Sequence, residues 1–193
     1  MLTKRIVLVL FTVCLSAMYG KAAELVDGYI VPAGKDTVRC KIEIPRMANK
    51  TFDLFLKVSV TDSAGHVVTY KAKNRELNGF GFVYGGANYE YHLWKDNKDD
   101  VFAMRKITGK KVNLYYYYTY ESMGGGSMPV KNEMYILEDT GKNAISVSGG
   151  LLSGFKKKIK KFFEADSKIA MLVDTNISTI NDLPAFVNKI NKL

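Results

Sequence analysis

Residues 77–86 read LNGFGFVYGG, and how this stretch is read decides the fold. Aromatic side chains recur at every second position: Phe80, Phe82 and Tyr84 share one side, while Gly79 and Gly81 share the other. A period of two is the signature of a β-strand, in which successive side chains leave opposite faces. Glycines confined to one face of a strand mark the close approach of another element. NYEYHLW follows as another strand, so the stretch reads as one strand of an antiparallel β domain.

The same residues also match most of an RNA-binding strand, whose pattern is Lys/Arg-Gly-aromatic-Gly/Ala-Phe-Val-x-aromatic. Asn78 stands where that pattern needs a cation, and Gly85 where it needs the last ring. The fifty residues before it read as strands and turns, without the flanking helix of a βαββαβ unit. The match is read as imitation by a buried strand, and no nucleic-acid partner is expected.

Working outward, residues 23–148 are rich in Val, Ile, Tyr, Phe and Thr and are broken at short intervals by Gly, Asn and Asp. DGYIV, TVRCKIEI, TFDLFLKVSV, HVVTYKA, VFAMRKI, KVNLYYYYTY, EMYILE and AISVS complete the strand series. TDSAG is a hairpin turn in which Gly65 supplies a positive φ. After Gly149 the period changes. Leu151, Leu152, Phe155, Ile159, Phe162 and Phe163 recur at helical spacing and fill an arc of roughly 120°. Lys156, Lys157, Lys158, Lys160 and Lys161 fill the rest, with Ser153 as the expected cap. Asp166 breaks this helix and caps the next, which carries Ile169, Leu172 and Val173. Pro184 fits only a first turn, with Asn181 or Asp182 as its cap, and Leu183, Phe186, Val187 and Ile190 form the last stripe. The expected fold is α+β: an antiparallel, strongly curved or barrel-like sheet at 23–148, with amphipathic helices at 149–193 packed on it.

The amino-terminal segment 1–22 reads as a signal peptide. Lys4 and Arg5 precede the apolar run Ile6–Leu15, and Gly20 and Ala22 stand at −3 and −1 of a cleavage before Ala23. Cys14 follows Thr12-Val13, whose bulk argues against lipidation and for ordinary cleavage. The chain is therefore expected in the periplasm or on the surface of a Gram-negative bacterium. Cys40 is then the only cysteine left, so no internal disulfide forms, and its place between Val38 and Ile42 is that of a small buried hydrophobe. The net charge of +9 falls to +6 once Lys4, Arg5 and Lys21 leave with the signal segment (25 basic against 19 acidic residues), which favours acidic surfaces without demanding them.

Chemistry-bearing motifs are few. The two histidines, His66 and His92, stand apart, with no metal-ligand spacing and no cysteine pair. Ser153-Gly-Phe-Lys156 lacks the companion motifs of the Ser-x-x-Lys enzymes, and GGGSMP lacks the lysine of a phosphate loop. No catalytic residue, metal or cofactor is assigned. In the tyrosine run, Tyr115 and Tyr117 face one way and Tyr116, Tyr118 and Tyr120 the other. An exposed row of Tyr115 and Tyr117 beside Tyr89, Tyr91 or Trp94 would grip a glycan, a peptide or an envelope protein. The plainer reading is cross-strand packing, with hydroxyls at the rim. The lysine helix likewise has two readings: a cationic helix lying on a membrane through Lys156–Lys158, Lys160 and Lys161, or a solvent-facing helix packed on the sheet.

GYIVPAGKDTVRCKI, ELNGFGF, GKKVNLYYYY, FFEADSKI and FVNKIN, taken in order, resemble segments of a group of exported, uncharacterised proteins of Bacteroidetes-type bacteria. The resemblance spans most of the chain after residue 22 and implies export and an envelope setting, but no activity or ligand residues. Ser167 stands where that group carries a cysteine.

Overall fold

A computed structural model describes residues 23–44, 54–95, 100–121, 130–149 and 154–193. The expected signal segment, Leu151, Leu152, Ser153 and the SMGGGSMP connection lie outside them. Among the described residues ten antiparallel strands form one sheet: β1 (Glu24–Pro32), β2 (Val38–Ile44), β3 (Lys57–Thr61), β4 (Val67–Lys71), β5 (Leu77–Tyr84), β6 (Ala87–Lys95), β7 (Asp100–Ile107), β8 (Val112–Glu121), β9 (Val130–Asp139) and β10 (Ala144–Ser148). Their order is β10-β9-β8-β7-β6-β5-β1-β2-β3-β4. Two meanders, β1–β4 and β5–β10, are thus joined where β1 pairs with β5. The sheet is open: β4 and β10 are its two edges, and the barrel-like alternative is not formed.

LNGFGFVY is β5, and Gly85 and Gly86 form its hairpin turn to β6, both at positive φ (57° and 79°). That pair of angles is the twist-matched two-residue turn that only glycine adopts freely. Phe80 and Phe82 are core residues, 1 % and 3 % exposed. Phe80 stacks on Tyr91 at 4.6 Å and meets Phe102 edge-on at 5.1 Å. Rings held this way by their neighbours have no face left for a base.

The sheet curls at β7. Its ladder with β8 begins only at Met104 and is offset by a bulge between Arg105 and Ile107. A bulge sharpens the local twist. The Phe102 N–H, in the earlier half of β7, donates instead to the Phe55 carbonyl at 2.7 Å. The strand expected from Thr51 therefore begins only at Lys57, because Leu54 and Phe55 leave the sheet to be buried (3 % and 1 %). Phe55 lies edge-on to Tyr118 at 4.7 Å and to Tyr116 at 6.1 Å.

Three helices follow: α1 (Phe155–Phe162), α2 (Ser167–Asn176) and α3 (Leu183–Ile190). Asp166 caps α2 by accepting from the Ile169 N–H at 3.2 Å. Pro184 sits in the first turn of α3. Asp182 acts one turn earlier than expected: its carboxylate accepts from the Ser178 and Thr179 N–H groups, both at 2.8 Å, around a 3-10 turn at Ile180–Asp182. α1 packs against β10, and α3 against β7 and β8. Ile159, Val173, Leu183, Phe186 and Ile190, each at most 1 % exposed, join the sheet residues in one continuous hydrophobic cluster. Beyond α3, the Asn191 side chain completes the start of β8 as a neighbouring strand would. Its Oδ1 accepts from the Lys111 and Val112 N–H groups (3.0 Å each), and its Nδ2 donates to the Val112 carbonyl at 2.9 Å.

Candidate functional site

On the face opposite Phe80 and Tyr91, the register aligns side chains from five strands. Arg39 of β2 pairs with Tyr29 of β1, Tyr29 with Gly81 of β5, and Gly81 with Glu90 of β6. Glu90 then reaches Arg105 of β7 (2.7 Å), which pairs with Tyr115 of β8. At about 4.8 Å per strand, Arg39 and Arg105 stand about 19 Å apart along this row. Gly81 gives the row its shape. A Cβ there would fall 2.6–2.8 Å from the Oη, Cζ and Cε1 of Tyr29, so the Tyr29 ring lies across the bare backbone of β5.

A groove of about 540 Å³ opens over this floor, walled by Asp27, Tyr29, Arg39, Val83, Asn88 and Glu90. A second hollow of about 280 Å³ shares Asn88 and Glu90 and continues to Arg105, Lys106 and Thr108. Asp27 is neutralised by Lys41 at 2.8 Å, and Glu90 by Arg105. Burial pushes the Tyr29 phenol above its ordinary range, and Glu90 adds to the shift. The neutral phenol is thus a hydrogen-bonding group rather than a base at neutral pH. Tyr115 is raised for the same first reason, and its hydroxyl donates to Glu138 at 2.8 Å.

His92 lies one register step from the row, its ring edge-on to Tyr115 at 5.4 Å. Burial holds its imidazole below the usual range and Arg105 acts the same way, against the opposing pull of Glu90 and Glu138. An unfolded histidine titrates near about 6.5 and takes up its proton first. Stability from the neutral ring is therefore present above that pH and is lost as pH falls below it. Urea midpoints measured from pH 8 to pH 5.5 are expected to decline less steeply for His92→Gln than for the parent chain.

The five aromatic residues expected to form one contact face do not converge. Tyr89 and Tyr91 lie on the core side with Tyr116, whereas Trp94, Tyr115 and Tyr117 lie opposite. Tyr91, Tyr115 and Tyr117 are 1 %, 6 % and 2 % exposed, and Tyr89 and Trp94 are half-buried. Tyr91, Tyr115 and Tyr117 are enclosed by their neighbours, while Tyr89 and Trp94 stay partly open on opposite faces, so the five do not form one exposed row. Lys157, Lys158 and Lys161 are exposed, while Lys156 and Lys160 are half-buried, with Lys160 paired to Asp174 of α2. The apolar side of the same helix is turned inward: Ile159 is fully buried, and Phe155 and Phe162 partly so. Among the described residues no helix is long and apolar enough to cross a membrane, and no cluster of His, Cys, Asp and Glu is arranged to hold a metal. Cys40 is half-buried and its thiol is raised by burial, although its neighbour Val38 is exposed.

Sequence reasoning missed Tyr29, Arg39, Glu90 and Arg105. The one available signal was the glycine face of LNGFGFVY, since the element that closes on Gly81 is the Tyr29 ring.

Fold and site together define an α+β protein with an open ten-stranded sheet and a charged, aromatic-floored groove across its central strands. Compared with known protein families, curated proteins and solved structures, the chain matches none.

Proposed function

We propose that the chain is an exported, non-catalytic binding protein of a Gram-negative envelope, and that it holds a glycan in the groove over Tyr29. One observation carries the reading: an aromatic ring laid across Gly81, in line with Arg39 and Glu90. A sugar ring presents an apolar C–H face and a rim of hydroxyls. It is held by a flat aromatic surface flanked by planar side chains that donate and accept in pairs. Asn88, Glu90 and Arg39 are such side chains. A peptide is served less well, because strand addition needs an unpaired edge. β1, β5 and β6 are each paired on both sides. The segment 1–22, with its charged start and apolar run, supports export.

The reading is tested by screening the protein against an array of bacterial, plant and host glycans, with Tyr29→Ala beside it. The parent chain is expected to bind at least one class of saccharide. Tyr29→Ala is expected to lose about 30-fold in affinity, the size of a central aromatic contact. Undiminished binding by Tyr29→Ala would contradict the site.

A further inference from the structure

The charges of the groove point to an acidic saccharide, one bearing carboxylate or sulfate groups, with its anion on Arg39; this rests on reading the groove as a glycan site. Each acid in the wall already has its cation: Asp27 has Lys41 and Glu90 has Arg105. Arg39 is exposed and has no ion-pair or hydrogen-bond partner among the described residues. With both carboxylates neutralised, the Arg39 guanidinium is left uncompensated.

Position matters as much as sign. Arg39 is the direct cross-strand neighbour of Tyr29. Their backbones stand about 4.5–5.5 Å apart, and the Tyr29 ring leans about one further strand spacing away over β5, a gap that the length of an arginine side chain and a ring substituent together bridge. A pyranose seated on Tyr29 therefore brings a ring substituent within reach of Arg39. The planar fork of arginine matches two oxygens of one carboxylate or sulfate, which an ammonium group does not. A neutral sugar would leave that fork in water and use only the ring and the amide and carboxylate wall.

The test compares a galacturonate hexamer, its fully methyl-esterified form and a chondroitin sulfate hexasaccharide by calorimetric titration. The parent chain is expected to bind the acid at least tenfold more tightly than its ester, and the sulfated arm shows whether sulfate serves as well as carboxylate. Arg39→Gln is expected to lower the acid to the level of the ester and to leave the ester unchanged. Lys157→Gln, which removes the same charge far from the groove, is expected to keep the preference. Equal binding of acid and ester by the parent chain, or an equal loss of both in Arg39→Gln, overturns the inference and leaves the glycan reading standing. Failure of all three sugars to bind the parent chain overturns the inference; if the glycan array is then also blank, the glycan reading falls with it.

Discussion

Replacing Phe80 by alanine is expected to lower folding stability by about 3–5 kcal/mol, as measured by urea denaturation. The ring is 1 % exposed, lies flat on Tyr91 at 4.6 Å and takes Phe102 edge-on at 5.1 Å. Truncation removes the transfer free energy of a whole aromatic ring. It also leaves a cavity bounded by two large rings, each fixed by other contacts. Tyr91 is tilted against Phe55 at 6.0 Å, and Phe55 is tied to β7 through the Phe102 N–H. Collapse into the hole would pull that strap and the β6 ladder together, so relaxation recovers little. A loss below about 1 kcal/mol would mean that Phe80 is not the centre of the core.

The second large effect separates two glycines on one face of one strand. Gly79→Ala is expected to destabilise the fold by about 1–3 kcal/mol. Its Cβ would overlap the Tyr91 carbonyl oxygen, a backbone atom within the β5–β6 ladder that yields only if the strands part. The three atoms nearest a Cβ at Gly81 all belong to the Tyr29 ring, a half-buried side chain that can swing away. Gly81→Ala is expected to cost less stability than Gly79→Ala but to remove glycan affinity almost as fully as Tyr29→Ala. Thermal melts and titrations of the two variants check both halves. Gly81→Ala with full affinity would show that the laid-down ring is not the binding floor.

Local grammar was legible wherever one residue type answers one local need. Gly65 turns the β3–β4 hairpin at φ 85°, with the Asp62 carboxylate accepting from the Ala64 and His66 N–H groups. AISVS is β10 to the residue, and Asp166 caps α2. The helical stripes were legible for the same reason, since each face is set by its own period. The strand order was not. Nothing local says that β1 lies between β2 and β5, because register follows from which distant apolar faces are buried together. The site inherits that limit, because Tyr29 and Arg105 share a row across strands far apart in the chain. Tyr115 to Tyr118 misled for a related reason: β8 is buried on both faces, so aromatic content alone could not tell a packed strand from a displayed one. Asn191, whose amide stands in for a strand beside Val112, carries no sequence signal at all.

The most direct test is to titrate the isotopically labelled protein with the tightest-binding saccharide and map the backbone amide shifts onto the sheet. Perturbations are predicted at Tyr29, Arg39, Gly81, Asn88 and Glu90, fading toward Arg105, with α1 unmoved. Shifts centred on Lys156–Lys161, or on the β8–β9 ladder around Tyr116 and Tyr135, would contradict the account.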